Sequence, residues 1–502
     1  MNRKIPATMV SQHPDQAGTP YWHTEAFIST QQETHECFLS FSELGVSEYK
    51  WDWEGKFVDE SVIERLLAEH LEYFKNFPLG KDKFLTFRLP NPKVETEFRL
   101  GRAFMGILGA AGLAKEVGLH APPLFEVILP MTESAEEMIA IQESFKELAS
   151  LKHPLHNFER GGLTHIELIP LFEQVDVIIA SAHILETYLA LHERIFHFTP
   201  AYIRPYLARS DPALNSGLVP TVLAIKIALS RYQELEQRTG VRLYPIIGSA
   251  CLPFRGGLTP DTVAEFCHEY RGIKTALLQS AFRYDFDKKK VLEAIRLLET
   301  MLPLGEAATI TPSEEQKLLT LITYFEGAYQ RTVEGIAPII MQVASALPRR
   351  RERVQHIGLF GYSRSLGKVQ LPRAIGFTGA LYSLGVPPEL IGTGRGIKYA
   401  EENMGVDLLE KYYIGLRREL KRAGGFLCKE GLARLATLSP EWKEVEQDVQ
   451  YIEAYLGERL GPVTKDEIEH ANIVQKVHAR LEAGESFEEY LQPLAVLRKS
   501  IG

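Results

Sequence analysis

The chain has 502 residues, a formal net charge of -9, 45% hydrophobic residues and 24% charged residues. That balance belongs to a folded globular protein with a large core and excludes a disordered or collagen-like chain, while the acidic total leaves no overall electrostatic footprint for nucleic acid. Cys37, Cys251, Cys267 and Cys428 have neither CxxC nor metal-type spacing, which excludes a disulfide scaffold.

The opening residues, MNRKIPATMVSQHPDQ, lack the apolar stretch of a signal peptide, and no uninterrupted apolar run of about 20 residues follows. A cytoplasmic protein with no membrane segment is the expectation. Residues 1–45 read as an irregular, polar segment that must fold onto the remainder. Eight short apolar runs then recur: Tyr49 to Trp53, Phe84 to Arg88, Leu124 to Leu129, His165 to Phe172, Ala201 to Ala208, Arg242 to Gly248, Thr275 to Gln279 and His356 to Gly361. Most begin roughly 30–45 residues apart, which suits a strand, a helix and their loops. Helical periodicity fills 58–78, 134–151, 176–195, 217–238 and 288–302, with further helices over 312–348 before the last run. From 377 onward the pattern is helical, broken at Gly385 to Pro388, Gly424 to Gly425 and Gly457 to Val463. The prediction is an α/β fold: a TIM-like (β/α)8 barrel over 1–376 with inserted helices, and an α-helical region over 377–502. No linker separates the two, so the C-terminal helices should pack on the barrel.

In such a barrel the residues just past each strand line the mouth. Here they are Asp52 and Glu54, Arg88, Glu133, Glu173, Arg209 and Asp211, Ser249, Gln279 with Arg283, and Arg364. Carboxylates and arginines together read as an anion-and-metal site; the competing explanation is that loops are wet. His13 lies in Ser-Gln-His-Pro-Asp, where Pro14 biases it toward an extended backbone and holds the imidazole on a stiff turn. Glu173 and Asp211 end neighbouring strands, and two protein carboxylates with water and substrate oxygens is a usual way to hold Mg2+. A salt bridge to Arg209 is the alternative use for either. Arg88, Arg255, Arg364 and Arg373 form the cationic set, suited to phosphate and carboxylate groups. Glycines after Arg255, in Phe-Arg-Gly-Gly, allow close backbone approach to an anion. Rim arginines that merely stabilise the barrel would look the same. The cluster Arg349, Arg350, Arg351 and Arg353 reads as a solvated or interface patch. Walker A, GxGxxG, HExxH and GxSxG patterns are absent, which argues against nucleotide hydrolysis, hydride transfer, zinc proteolysis and serine catalysis.

Ser11-Gln-His-Pro-Asp15, Leu171-Phe-Glu173, Ser210-Asp-Pro-Ala-Leu-Asn-Ser-Gly217 and Phe254-Arg-Gly-Gly257, in that order, resemble a phosphoenolpyruvate carboxylase, and more closely its short archaeal-type branch. The resemblance runs to Arg498-Lys-Ser-Ile-Gly502. It implies His13 as the catalytic histidine of a TAHPTE-like motif and Glu173 and Asp211 as ligands of Mg2+ or Mn2+. Arg88 would bind phosphate, and Arg364 and Arg373 would contact substrate; Asp52 and Glu54 resemble a DRDGNP loop. The larger enzymes carry HGRGGS before this point, whereas Ile247-Gly-Ser-Ala-Cys-Leu-Pro-Phe-Arg255 lacks that His and Arg, so Arg255 is left as both anion contact and charge stabiliser. The family's C-terminal asparagine, part of an inhibitory dicarboxylate site, has no counterpart in Ser500 to Gly502, which implies altered control by aspartate or malate.

The implied activity is irreversible carboxylation of phosphoenolpyruvate with bicarbonate to oxaloacetate and phosphate, through carboxyphosphate and a pyruvate enolate, without biotin. A cytoplasmic homotetramer is the family expectation. Two other readings compete: a metal-dependent carbon-carbon lyase or aldolase acting on a pyruvate enolate, which needs neither bicarbonate nor phosphoryl transfer, and a catalytically silent barrel.

Overall fold

The computed structural model describes residues 4–53, 56, 58–153, 156–157, 161–352, 365–366 and 369–502. Eight parallel strands close into a barrel in chain order: β1 Thr8–Ser11, β2 Glu48–Asp52, β3 Phe84–Arg88, β4 Glu126–Leu129, β5 Glu167–Phe172, β6 Tyr206–Leu207, β7 Ile246–Ile247 and β8 Thr275–Leu278. Six of these fall within the apolar runs read from the sequence, and β2 overlaps its run, beginning one residue earlier at Glu48. The eighth does not: the ring closes through β1, with Val10 opposite Leu278 on one side and Tyr49 on the other. His356 to Gly361 lies outside the described residues, and the barrel is complete without it. Residues 1–45 are therefore not simply irregular. Thr8–Ser11 is only four residues long, too short for its alternation to stand out from polar neighbours.

The runs before β6 and β7 each break at a proline. Tyr202–Ile203 pairs with Arg242–Leu243 as a separate two-stranded piece, and the barrel strands resume after Pro205 and Pro245. A proline has no N–H for the ladder, but its carbonyl still accepts: Pro205 O from Ile246 N and Pro245 O from Lys274 N, both at 2.8 Å.

A helix follows each strand, including Val62–Asn76, Ala135–Ala149, Val175–Phe196, Leu218–Thr239 and Lys288–Met301, as the periodicity predicts. The crossover Glu97–Glu116 escapes that reading because Gly101, Gly106, Gly109 and Gly112 dilute its apolar stripe, each costing about 1 kcal/mol of helix propensity against alanine. Val175–Phe196 is long and apolar enough to span a bilayer, but here it packs between Ala135–Ala149 and Leu218–Thr239 as a barrel crossover.

The 34-residue helix Pro312–Ser345 starts at a capping box formed by Thr311 and Glu314. It packs on Leu218–Thr239 of the barrel and on Ala374–Ser383, Thr393–Asn403 and Pro440–Leu456, so it joins the C-terminal helices to the barrel layer. The chain ends beside its beginning, with Ile501 N donating to Asp15 O at 2.7 Å.

Alternation along the strands sorts the side chains. In β2, Tyr49 and Trp51, followed by Trp53, pack into the outer core under the helices, while Glu48, Lys50 and Asp52 face the barrel interior. At the N-terminal end, Arg204 is fully buried and bridges Glu48, at 2.6 and 2.9 Å, and Glu126, at 2.8 Å; Thr86 and Thr275 complete the cluster. Above it lies an apolar layer that includes Met9, Ile128, Ile169, Tyr206, Ile246 and Leu277. The polar mouth begins above that layer. Arg204→Met leaves two buried carboxylates without their cation, and should destabilise the fold by about 3–5 kcal/mol in chemical denaturation.

Candidate active site

The chain leaves β1 as Ser11-Gln-His-Pro-Asp15 and crosses the mouth. Ser11 Oγ lies 2.8 Å from His13 Nδ1, which orients the imidazole. The residues that follow are fastened on every side. Asp15 Oδ1 accepts from Ala281 N at 2.8 Å and lies 3.0 Å from Ser280 Oγ. The amides of Ala17 and Gly18 donate to Asp285 at 2.7 and 2.6 Å, and Arg350 donates to the carbonyls of Gln16 and Ala17 at 3.1 and 3.0 Å. Burial pushes the Asp285 carboxyl up to about 7, against the pull of those two amides. Gln12 ties the turn to β2, its Oε1 accepting from Asp52 N at 3.0 Å and Lys56 Nζ at 2.9 Å.

Glu173 follows β5 and accepts from Met131 N at 2.8 Å, with Met131 held at φ 51°. Asp211 follows β6 in the first turn of Ser210–Ser216. Burial raises the Tyr206 phenol well above its ordinary range, and Glu173, Asp52 and Asp211 raise it further while Arg88 opposes them. These four charged groups therefore surround one phenol at the floor of the mouth. Asp52 lies 3.2 Å from Lys50 Nζ and 3.9 Å from Arg88.

A cavity of about 640 Å3 opens here, and His13, Arg88, Glu173, Asp211, Arg255 and Arg373 all line it. Motifs spread over 360 residues of sequence thus converge on one space. Arg364 and Glu54 lie outside the described residues. Burial lowers the His13 pKa well below 6.5, and the cations Lys50, Arg255 and Arg373 lower it further against the opposing pull of Asp52. The imidazole is therefore neutral at pH 7.

Arg255 is 1% exposed and turned toward protein: Nε donates to Ser210 Oγ at 3.1 Å, Nη2 to Gln279 Oε1 at 2.7 Å, and Nη1 reaches Gly502 O and lies 3.6 Å from Asp15. It joins the His13 turn to the residue before Asp211. Arg209 is likewise occupied, donating to Tyr270 Oη and to the carbonyls of Phe254 and Pro253, so it holds the glycine loop and forms no pair with Glu173 or Asp211 among these bonds. Gly256, at φ 121°, lets that loop pass Ser249, whose Cα and Cβ would lie 3.2 Å from any added Cβ.

Other strand-end residues do different work. Glu133 pairs with Lys93 at the surface, Ser249 donates to Leu277 O, and Arg283 binds Glu36 at 3.0 Å and Ser11 O at 2.8 Å. The arginine cluster is not a solvated patch. Arg350 and Arg351 are buried, and both terminal nitrogens of Arg351 reach Glu36 at 2.6 Å. Burial alone would raise Glu36, but Arg351 and Arg283 outweigh it and hold the carboxyl well below the usual range. Arg349 is exposed, and Arg353 lies outside the described residues.

Gln279 lines the cavity as its strand-end position predicts, and Ser210 lines it beside Asp211, whereas Lys50 and Tyr206 line it without having been singled out in the sequence. The signal for Lys50 was present: Glu48, Lys50 and Asp52 alternate with Tyr49, Trp51 and Trp53, so the polar set must share one face. Among the described residues no group of three or more His, Cys, Asp or Glu is placed to hold a metal. Glu173 and Asp211 are hard oxygen donors at one cavity, a set that fits Mg2+ or Mn2+ with water and substrate completing the shell.

A family model described as phosphoenolpyruvate carboxylase matches residues 5–502. The chain belongs to the archaeal-type phosphoenolpyruvate carboxylase family. It is 38% identical over 505 residues to a phosphoenolpyruvate carboxylase of Leuconostoc mesenteroides, covering all of both chains. It is also 37% identical over 521 residues to that of Metallosphaera sedula, again covering both completely. With the phosphoenolpyruvate carboxylase of Pyrococcus abyssi it shares 38% identity over 463 residues, 88% of this chain and 94% of that protein. In this member of the phosphoenolpyruvate carboxylase family, Gly256→Ala should impose backbone strain of about 1–3 kcal/mol and displace Arg255. The expected outcome is a lower melting temperature together with a fall in turnover, read by differential scanning fluorimetry and steady-state kinetics.

Proposed function

We propose that the protein carboxylates phosphoenolpyruvate with bicarbonate to give oxaloacetate and phosphate. The observation that carries this reading is the placing of His13, two hard carboxylates and the Arg88 and Arg373 side chains around one cavity. Arginine forks match phosphate and carboxylate, the two anionic groups of the substrate. We also propose Mg2+ or Mn2+ on Glu173 and Asp211, where the ion would stabilise negative charge on the enolate and phosphoryl oxygens.

A bicarbonate oxygen attacks phosphorus; the new O–P bond forms as the P–O bond to the enol carbon breaks, and that electron pair stays on the pyruvate enolate. His13, neutral and beside the cavity, then accepts the carboxyl proton of carboxyphosphate as its C–O bond to phosphate breaks, releasing CO2 and phosphate. The enolate carbon attacks CO2 and gives oxaloacetate, and the proton on His13 passes to phosphate. Arg88 and Arg373 orient the substrate anions throughout. A homotetramer belongs to the same reading as the family expectation, and light scattering measures the assembly.

Three outcomes are expected. Oxaloacetate, followed through malate dehydrogenase, forms only when phosphoenolpyruvate, bicarbonate and a divalent metal are all present; formation of pyruvate alone would sink the carboxylase reading. His13→Asn lowers oxaloacetate formation by roughly 10²- to 10⁴-fold and diverts the enolate to pyruvate, measured with lactate dehydrogenase. Because burial and then Lys50 lower the His13 pKa, the base is lost only on acidification, and the acidic limb of kcat/KM for bicarbonate should fall below pH about 6.5. A limb above pH 7 would contradict His13 as the base.

A further inference from the structure

We propose that Lys50 is the residue that binds the bicarbonate-derived carboxyl group, holding it against His13 from bicarbonate through carboxyphosphate to CO2. This rests on the carboxylase reading above and adds a residue and a role to it.

Lys50 is 2% exposed, yet it lines the cavity from the interior face of β2. A buried ammonium is strongly disfavoured unless its charge is met and its three donors are used. Among the described residues its contacts are one carboxylate oxygen, Asp52 Oδ2 at 3.2 Å, and the Tyr206 ring, 5.8 Å from Nζ. Asp52 is itself shared with Arg88 at 3.9 Å. An ammonium with one shared carboxylate and an open cavity beside it retains donors for a small anion.

Which anion it takes follows from its neighbours. Arg88 and Arg373, the two arginines assigned above to the substrate, carry planar forks that suit a phosphate, whereas lysine offers a compact point charge at the floor of the mouth. Lys50 stands opposite Ser11, two residues before His13, in the β1–β2 ladder, and the Lys50 and His13 side chains both line the cavity. The group whose proton His13 removes must lie beside His13, so the cation best placed to hold that group is Lys50. A cation there also favours a carboxylate over its protonated form, which assists loss of the proton to the imidazole. A purely structural Lys50–Asp52 pair is the competing account, and it predicts no preference between the two substrates.

The experiment measures KM for bicarbonate and for phosphoenolpyruvate separately, in CO2-depleted buffer, for the wild type, Lys50→Met and Lys50→Gln. The expected result is a rise of roughly 10- to 100-fold in KM for bicarbonate, a change of less than about threefold in KM for phosphoenolpyruvate, and a larger share of pyruvate among the products. Unchanged bicarbonate KM in folded variants, or an equal rise in both KM values, would overturn the assignment. Failure of both variants to melt cooperatively would mark the ion pair as structural and overturn it too. If the wild type itself makes no oxaloacetate, the parent reading fails and the assignment with it; if the wild type is active and only the bicarbonate effect is missing, Lys50 alone is wrong.

Discussion

Charge inside the barrel must be paired, and that requirement fixes the register of the strands. Arg204 sits between Glu48 at the start of β2 and Glu126 at the start of β4, within reach of Thr275 at the start of β8. A one-residue slip of any of these strands would turn its polar partner out among the helices and bring an apolar side chain in. Once Glu48 faces inward, alternation carries Lys50 and Asp52 inward above it. The floor of the barrel therefore determines the chemistry of its mouth, across an apolar layer of Met9, Ile128, Ile169 and Leu277.

The mouth depends on fixed neighbours rather than on its own loops. His13 follows a strand of only four residues, and the turn after it is secured by Ser280 and Ala281 beyond β8, by Asp285, by Arg350 and by the backbone of Ile501. Arg255 links the same turn to Ser210, next to Asp211. The turn of the proposed base and the helix that carries Asp211 are thus held by one hydrogen-bonded network, which suits the proposed reaction, in which an enolate is kept near the group it captures.

Much of this was legible in the chain. Seven barrel strands followed from apolar runs at regular intervals, and ordered short motifs singled out His13, Glu173 and Asp211, which the fold brings to one cavity. Thr8–Ser11 was hidden because four residues give too little periodicity, and Glu97–Glu116 because glycine weakens the helical signal. The positions of Arg350 and Arg351 were misread because a run of arginines looks solvated until a buried carboxylate such as Glu36, distant in sequence, comes to meet it. For Arg255 the sequence supplied an anion-binding side chain, but the partners its donors reach, Ser210, Gln279 and Gly502, come from three other parts of the chain. Lys50 was readable from strand alternation alone, once the strand is known to have a polar interior face.

β1 is the first strand made and the last to find both neighbours. On a ribosome adding about 5–20 residues per second, it waits roughly 15–50 s between its own emergence and that of β8. Throughout that interval one of its edges is open, with the backbone groups that will meet β8 unpaired. The nascent chain is then a sheet that cannot yet close, and the edge of β1 that will meet Thr275–Leu278 stays unpaired until that strand arrives. Codon usage or temperature shifts that lengthen this wait should therefore affect the yield of active protein more than the stability of what is finally formed.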